Sequence, residues 1–454
     1  MESLTLKEIC GTVGGKLCGA DENTVITSIS TDSRDIPKDC LFIAIKGERF
    51  DGHDFLHDAV RLGAAAVVSE READGVPAVI CQSTRKALLD IAAYYRRKMP
   101  VKVVGITGSV GKTTTKEMTA LALSAGGKTM KTEGNLNNEI GLPKTLFRLD
   151  SSIERAVIEM GMSGFGEIDR LSKTASPDIA MITNIGMCHL EQLGSQDNIL
   201  KAKLEILNGS KPNCPLIVNG DDVRLAPLKE KLSDRNVITF GIDNKCGLNA
   251  ENIRSSGEST VFDIVLDGKS VHCVIPCIGK HNVYDALAAV AAAYVIGDDI
   301  VPAANALKDY VPSGMRQHTE KIGGFTALID CYNASPTSMQ AAINTLCEMK
   351  CNGRRGAVLA DMLELGEMSP KLHEDTGKYA AEKKLDFLVC YGEMSKHMAE
   401  GAEKCGLHAE WITDSGKLAE YLKEHIKDGD TVLFKGSRGM KLEKIIGELR
   451  EGRS

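Results

Sequence analysis

No apolar run in this chain is long enough to cross a bilayer, so no membrane span is expected. Met1 to Gly15 lack a basic segment followed by an apolar one, and no secretory signal is expected. Positive charge is in deficit: 55 Lys and Arg against 62 Asp and Glu give a formal net charge of −7, with a pI near 5.9. That argues against bulk nucleic-acid binding, while a locally basic site can still take an anionic small substrate. The 14 cysteines show no paired metal-type spacing, so free thiols in a reducing, cytoplasmic setting are expected. Short-period repeats and low-complexity stretches are also missing. What remains is an ordinary soluble composition, 43% hydrophobic and 26% charged, with a mean hydropathy of −0.12. At 454 residues, two to four domains are the natural division.

Three segments follow. From Met1 to about Met99, short apolar runs (Leu41–Ile45, Ala64–Val68, Val76–Cys81) alternate with helical patterns such as Arg85–Tyr95, a small α/β unit. Arg96-Arg97-Lys98-Met99-Pro100 reads as a linker. From Val101 the pattern becomes strand, glycine loop, helix. Val101–Ile106 suits a buried parallel strand and Lys112–Ala125 a helix, with later strands at Ala156–Met160, Ile179–Thr183 and Leu216–Asn219. An alanine-rich helix, Val283–Val295, closes the segment. A third unit begins near Pro312-Ser313-Gly314. Its strands are Phe325–Asp330, Gly356–Leu359, Phe387–Tyr391 and Thr431–Phe434, separated by helices such as Met339–Met349 and Lys417–Ile426. The expected class is α/β, with parallel sheets in the second and third units.

The run Gly105 to Thr115 follows a strand and opens a helix, the context of a nucleotide loop. Main-chain N–H groups of Gly108, Ser109, Val110 and Gly111 and the helix N-terminus would face phosphate. Lys112 would neutralise the β/γ-phosphates and the Thr113 hydroxyl would ligate magnesium, with Thr114 following. The spacing departs from the general phosphate-loop pattern, which wants glycine where Ile106 stands.

Three further residues carry possible chemistry. Glu159 ends the strand Ala156–Met160, at the edge where open α/β sheets bind ligands; it is either a magnesium carboxylate or a solvated strand end. His189, in the loop after Ile179–Thr183, is either a metal ligand or structural. Lys203 falls inside the apolar stripe Ile199, Leu200, Leu204, Ile206 and Leu207 of a helix over Asp197–Leu207, whereas Lys201 and Glu205 lie off it and can pair. Such a lysine either snorkels to the edge or has a lowered pKa. A neutral amine can capture carbon dioxide and become a carboxylate-like carbamate.

Taken in order, these motifs resemble the Mur ligase family over nearly the whole chain. Glu159-Met160-Gly161, Thr183-Asn184 with His189, and Lys201-Ala202-Lys203 are similar to its magnesium and carbamate region. By that resemblance Glu159 and His189 ligate magnesium and Lys203 is carbamylated. Gly279-Lys280-His281-Asn282 resembles the segment that holds adenine, with Asp285 where a second asparagine is usual. Gly314-Met315-Arg316-Gln317 resembles the start of the third domain, whose arginine reaches the ATP phosphates; many relatives carry glutamate at the position of Gln317. Thr31-Asp32-Ser33-Arg34 and Phe50-Asp51-Gly52-His53 resemble a uridine-nucleotide domain. Four stretches, Asn135–Pro143, Asp330–Ser338, Asp361–Glu367 and Lys435–Met440, resemble the D-alanyl-D-alanine-adding branch in particular. The branch that adds the third peptide residue has Tyr-Ala-His in place of Tyr332-Asn333-Ala334 and an Asn-Pro-Arg signature that is missing here.

The resemblance implies three domains: 1–99 for the UDP-substrate, 100–313 as a central phosphate-loop ATPase with a parallel sheet, and 314–454 as a Rossmann-like unit for the incoming D-alanyl-D-alanine. It implies ATP-dependent ligation of that dipeptide to UDP-N-acetylmuramoyl-tripeptide through an acyl phosphate, with magnesium and a carbamate on Lys203. The alternative is another amide ligase of the superfamily, adding the third residue or extending folylpolyglutamate. Asp330 joins the ATP-binding set. Ser33, Arg34, Asn137, Asn138, Tyr332, Asn333, Lys435, Ser437 and Arg438 are the implied substrate residues. A monomer is expected. Because no segment holds all the parts, an open form is expected without ligand, with Arg316 far from the phosphate loop.

Overall fold

The β-branched run before the glycine loop forms the strand Lys102–Thr107, in the interior of a nine-stranded sheet. In this computed structural model, residues 1–312 and 314–452 are described. Ser313, in the expected hinge, lies outside them. The sheet order is Lys269–Ile275, Ser259–Leu266, Leu248–Ser256, Val237–Gly241, Leu216–Asn219, Ile179–Ile182, Lys102–Thr107, Arg155–Glu159, Thr129–Lys131. The last seven run parallel. The first two are an antiparallel extension that the sequence reading passed over. Its signal was present: Thr260, Phe262, Ile264 and Leu266 alternate inward, and Asp267-Gly268, both at positive φ, turn the hairpin. Behind the sheet, helix Lys280–Ile296 is buried nearly all round and shares a core with helix Lys112–Ser124 through Val283, Leu287, Met118 and Leu123.

The first segment carries a five-stranded sheet, ordered Lys16–Cys18, Ala78–Ile80, Ala66–Ser69, Cys40–Ile43, Ser28–Ser30. Its helix Thr84–Lys98 is capped by Ser83. The expected linker is corrected here: Arg96, Arg97 and Lys98 are the last turn of that helix, and Arg96 is buried. Its guanidinium donates to the carbonyls of Met99, Val101, Ala175 and Ser176 and to Asp178. Ile91 and Tyr95 on the same helix pack in one core with Val103, Leu146 and Phe147 of the central segment. The two segments therefore share a continuous apolar interior.

The third segment is a six-stranded sheet: His318–Ile322, Phe325–Ile329, Thr431–Lys435, Arg355–Ala360, Phe387–Tyr391, Ala409–Ile412. All neighbours are parallel except the first pair. Separate apolar clusters lie on its two faces, one around Met339 and Leu359, the other around Val358 and Leu422. The class is α/β throughout. Among the described residues, no helix is long and apolar enough to cross a membrane.

Candidate active site

The phosphate loop is fastened from the neighbouring strand end. Val110 N–H donates to Asn184 Oδ1 at 2.9 Å and Ser109 N–H to the Asn184 carbonyl at 3.1 Å, so these two N–H groups, expected to face phosphate, are held by the neighbouring strand end instead. Thr183 Oγ1 and Asn184 Nδ2 both donate to the Val110 carbonyl. A Cβ at Gly108 would stand 1.9 Å from Thr183 Oγ1, which is why that position is glycine. Gly111, at φ +83°, then opens helix Lys112–Ser124. Lys112 Nζ folds back on the Gly108 and Ser109 carbonyls at 2.8 and 3.3 Å.

Glu159 is 1% exposed and faces Thr113, whose hydroxyl donates to Oε2 at 3.1 Å. Asn137 Nδ2 donates to Oε1 at 2.8 Å, and Lys116 Nζ, wholly buried, lies 3.7 Å from Oε2. A strand-end solvated glutamate is thereby excluded. His189 sits at φ +54° with Nδ1 2.5 Å from Glu364 Oε2, a residue of the third segment. That histidine holds the Glu364 carboxyl below its usual range.

Lys203 is 1% exposed on helix Gln196–Leu204. Burial, with Lys112 adding to it, pushes its ammonium down to about 7, while Cys188 opposes the shift. Among the described residues its nitrogen has no hydrogen bond or ion pair. The expected pairing of Lys201 with Glu205 is not made. Glu205 instead accepts from the Gly166 and Asp169 N–H groups, at the start of helix Glu167–Ala175.

Opposite these groups stand residues of the third segment. Arg316 stacks on Tyr332, with its guanidinium carbon 3.9 Å from the ring centroid. Gln317 donates to His281 Nε2 at 2.5 Å and accepts from Asn282 Nδ2 at 2.9 Å. Burial lowers the His281 pKa. Lys435, 2% exposed, donates to Asp330 Oδ2 at 2.6 Å and to the Asn333 carbonyl. Ser437 Oγ accepts from Leu363 N–H, and Arg438 lies 3.3 Å from Glu443. Asp285, on helix Lys280–Ile296, accepts from Thr115 Oγ1 at 2.5 Å; burial pushes its carboxyl up to about 7 against the pull of that bond and of Arg316.

One cavity of about 750 Å³ gathers these parts. It is lined by Ser109 to Thr115, Asn137, Asn138, Glu159, His189, His281, Asn282, Asp285, Arg316, Asp330, Tyr332, Asn333, Lys435, Ser437 and Arg438. Gly108 and Lys203 are not among its lining residues. Ser33 and Arg34 stand outside it, Arg34 held by Asp32 through two side-chain bonds. Arg316 of the third segment and the phosphate loop of the second line this one cavity, and Glu364 crosses to His189.

The donor set suits magnesium, which keeps several waters and takes one or two protein carboxylates plus phosphate oxygens. Among the described residues there is no cluster of three or more His, Cys, Asp or Glu that could grip a metal unaided. An unpaired buried amine at Lys203 suits a carbamate. The sequence reading gave no role to Thr183, Asn184, Lys116 or Glu364. Thr183, Asn184 and Glu364 stood inside stretches that carry the family resemblance, and Lys116 repeats Lys112 one helical turn on.

Three family descriptions match in chain order: Mur ligase family, catalytic domain, over 25–105; Mur ligase middle domain over 106–293; and Mur ligase, glutamate ligase domain, over 315–438. The UDP-N-acetylmuramoyl-tripeptide–D-alanyl-D-alanine ligase of Bacillus subtilis (strain 168) is 40% identical, with 98% of each chain covered. A crystal structure of MurF from Acinetobacter baumannii matches with a TM-score of 0.93 at 33% identity over 99% of both chains. A MurF ligase of Thermotoga maritima in complex with ADP matches with a TM-score of 0.84 at 28% identity, covering 94% of this chain and 98% of that one. Three domain matches in order and full-length identity at this level place the chain in the Mur ligase family.

Proposed function

We propose that this chain joins D-alanyl-D-alanine to UDP-N-acetylmuramoyl-tripeptide at the expense of ATP, giving the pentapeptide precursor of peptidoglycan. The observation that carries the reading is the single cavity in which the phosphate loop, Glu159 and His189 face Arg316, Asp330 and Lys435. The Bacillus subtilis relative named above bears the same activity in its name. In the first step the tripeptide carboxylate attacks the γ-phosphate, the bond to the ADP oxygen breaks, and an acyl phosphate forms. In the second, the dipeptide amine attacks the acyl carbon, and phosphate leaves with the amine proton going to solvent or a nearby base. Both steps build negative charge on oxygen. Lys112 and Arg316, which line the cavity, would meet that charge, and positioning with electrostatic stabilisation would supply the rate.

Gly108, Ser109, Val110, Gly111, Lys112, Thr113 and Thr114 would bind the ATP phosphates, with His281, Asn282 and Asp330 toward the nucleoside. Magnesium, held by Thr113, Glu159, His189 and a carbamylated Lys203, would neutralise the phosphates. Ser33 and Arg34 would take the uridine nucleotide on the first domain, 1–99. Asn137 and Asn138 of the central domain, 100–313, would meet the peptide. Tyr332, Asn333, Lys435, Ser437 and Arg438 of the third domain, 314–454, would receive the dipeptide. The chain would work as a cytoplasmic monomer. The test is phosphate release by purified protein with ATP, magnesium, UDP-muramoyl tripeptide and a panel of amines. Turnover with D-alanyl-D-alanine and none with free lysine or diaminopimelate is expected. Better turnover of UDP-muramoyl dipeptide with a free diamino acid would move the chain to the third-residue-adding branch.

A further inference from the structure

Glu364 is a carboxylate of the cavity to which the scheme above gives no task. It holds His189 from across the segment boundary. The two backbones are both left-handed, at φ +63° and +54°, a region that residues other than glycine rarely enter. Their side chains meet, with imidazole Nδ1 2.5 Å from Glu364 Oε2. A second bond runs beside the first, from the Glu191 N–H to the Glu364 carbonyl at 3.3 Å. Met187 and Leu190, on either side of His189, pack against the third segment's apolar core around Met339 and Leu359. The loop that carries the histidine is therefore seated on the third segment, and its ring is gripped there at one nitrogen. Among the described residues Nε2 has no hydrogen bond. A carboxylate on Nδ1 keeps the proton of a neutral imidazole on that nitrogen and leaves the lone pair on Nε2.

We propose that Glu364 is a positioning residue for His189. It fixes the tautomer and the ring so that Nε2 is free to take magnesium, and because it belongs to the third segment it ties the metal site to the docking of that domain. The proposal rests on the ligase reading, in which His189 is a magnesium ligand. E364A removes the acceptor and lets the ring turn and exchange its proton between nitrogens. Loss of such a partner typically weakens metal binding about 10- to 100-fold. The lower end, about tenfold, is expected here, because the packing of Met187 and Leu190 remains. E364Q keeps an acceptor oxygen at the same reach and stays within about threefold of the wild-type chain. Alanine, glutamine and glutamate all carry a Cβ, so the left-handed backbone at 364 costs much the same in each.

The probe is Mn2+ bound to the full chain with ADP, the free ion being read by electron paramagnetic resonance. The second readout is the magnesium dependence of ligation, and thermal melts confirm that each variant is folded. H189A sets the scale for loss of the ligand itself. Mn2+ binding should weaken in E364A, stay near normal in E364Q, and weaken no further when E364A is added to H189A. Ligation by E364A should need about tenfold more magnesium and recover to within about threefold of wild type when the ion saturates. Unchanged Mn2+ affinity in E364A, or a loss additive with that of H189A, overturns the proposal. So does an H189A chain that binds Mn2+ as wild type does. A raised KM for the dipeptide with metal binding unchanged overturns it too, and makes Glu364 a substrate contact. A wild-type chain that binds Mn2+ but ligates nothing would sink the ligase reading alone, and the Mn2+ comparison of E364A, E364Q and H189A still decides. If E364A does not fold, E364M, which fills the space without an acceptor, decides by the same criteria.

Discussion

Replacing Arg96 by methionine tests how firmly the first segment is fastened to the phosphate-loop segment. The Arg96 side chain is 3% exposed. Nε donates to the Ala175 carbonyl at 3.0 Å and Nη1 to Met99 at 3.2 Å. Nη2 is shared among the Val101 and Ser176 carbonyls and Asp178 Oδ2, at 3.1, 3.4 and 3.1 Å. Methionine fills the stem but donates nothing. Breaking a buried ion pair typically costs about 3–5 kcal/mol because the other charge is stranded. Here Asp178 keeps Lys211 at 2.8 Å and the Val103 N–H at 2.9 Å, so that part shrinks. Four main-chain bonds at about 1 kcal/mol each then set the scale, about 3–4 kcal/mol. Urea unfolding of the full chain, followed by circular dichroism with limited proteolysis between Lys98 and Lys102, measures it. R96M should lower the transition that includes the first two segments by that amount and open the junction to cleavage. A loss under about 1 kcal/mol, with the junction still protected, would refute a guanidinium fastening.

Lys112→Ala removes the only side-chain cation inside the loop; ligation should fall about 100- to 1000-fold, and retained binding of the UDP-substrate by calorimetry shows that the fold is intact. Lys203→Ala should abolish ligation, with formate or acetate restoring part of it, whereas Lys203→Arg should resist rescue because the guanidinium fills the space and stays charged; full activity of an unmodified wild-type amine in carbon-dioxide-free buffer would leave this lysine merely buried. Asp285, held up to about 7 by burial, binds its proton longer in the folded chain than in the unfolded one. Its cost to stability therefore grows as pH rises from about 4 to about 7 and stays constant above. Asp285→Asn should raise the melting stability at pH 8 by about 1–3 kcal/mol and leave it unchanged near pH 4; equal melting of both chains at every pH would refute the burial argument.

What could be read ahead of the structure, and what could not, follows from where the information lies. Strands such as Leu216–Asn219 and Phe387–Tyr391 were legible to the residue because both faces are buried, which forces an unbroken apolar run. The hairpin Ser259–Ile275 was passed over although it alternates, since one half-buried face gives a weaker signal than a buried strand. The phosphate loop was legible because glycine, lysine and threonine do their work within a few residues of one another. Glu364 was not, because its partner His189 lies 175 positions away and belongs to another segment.

Arg96 and Lys203 bring out the remaining difference. Lys203 drew notice by standing on an apolar helical stripe. Arg96 stands on one as well, since Leu88, Ala92 and Arg96 fall at intervals of four and all are buried. Its neighbours Arg97 and Lys98 made the cluster look like solvated chain, and the stripe went unread. Both side chains end in an interior where an unpaired charge is costly. Arg96 meets that cost with four carbonyls and a carboxylate, so its charge is part of the architecture. Lys203 has no hydrogen bond or ion pair among the described residues, so burial drives its amine toward the neutral form. Spacing finds a buried base. Only the count of its partners separates a fastening from a reagent, and those partners come from strands and loops far along the chain.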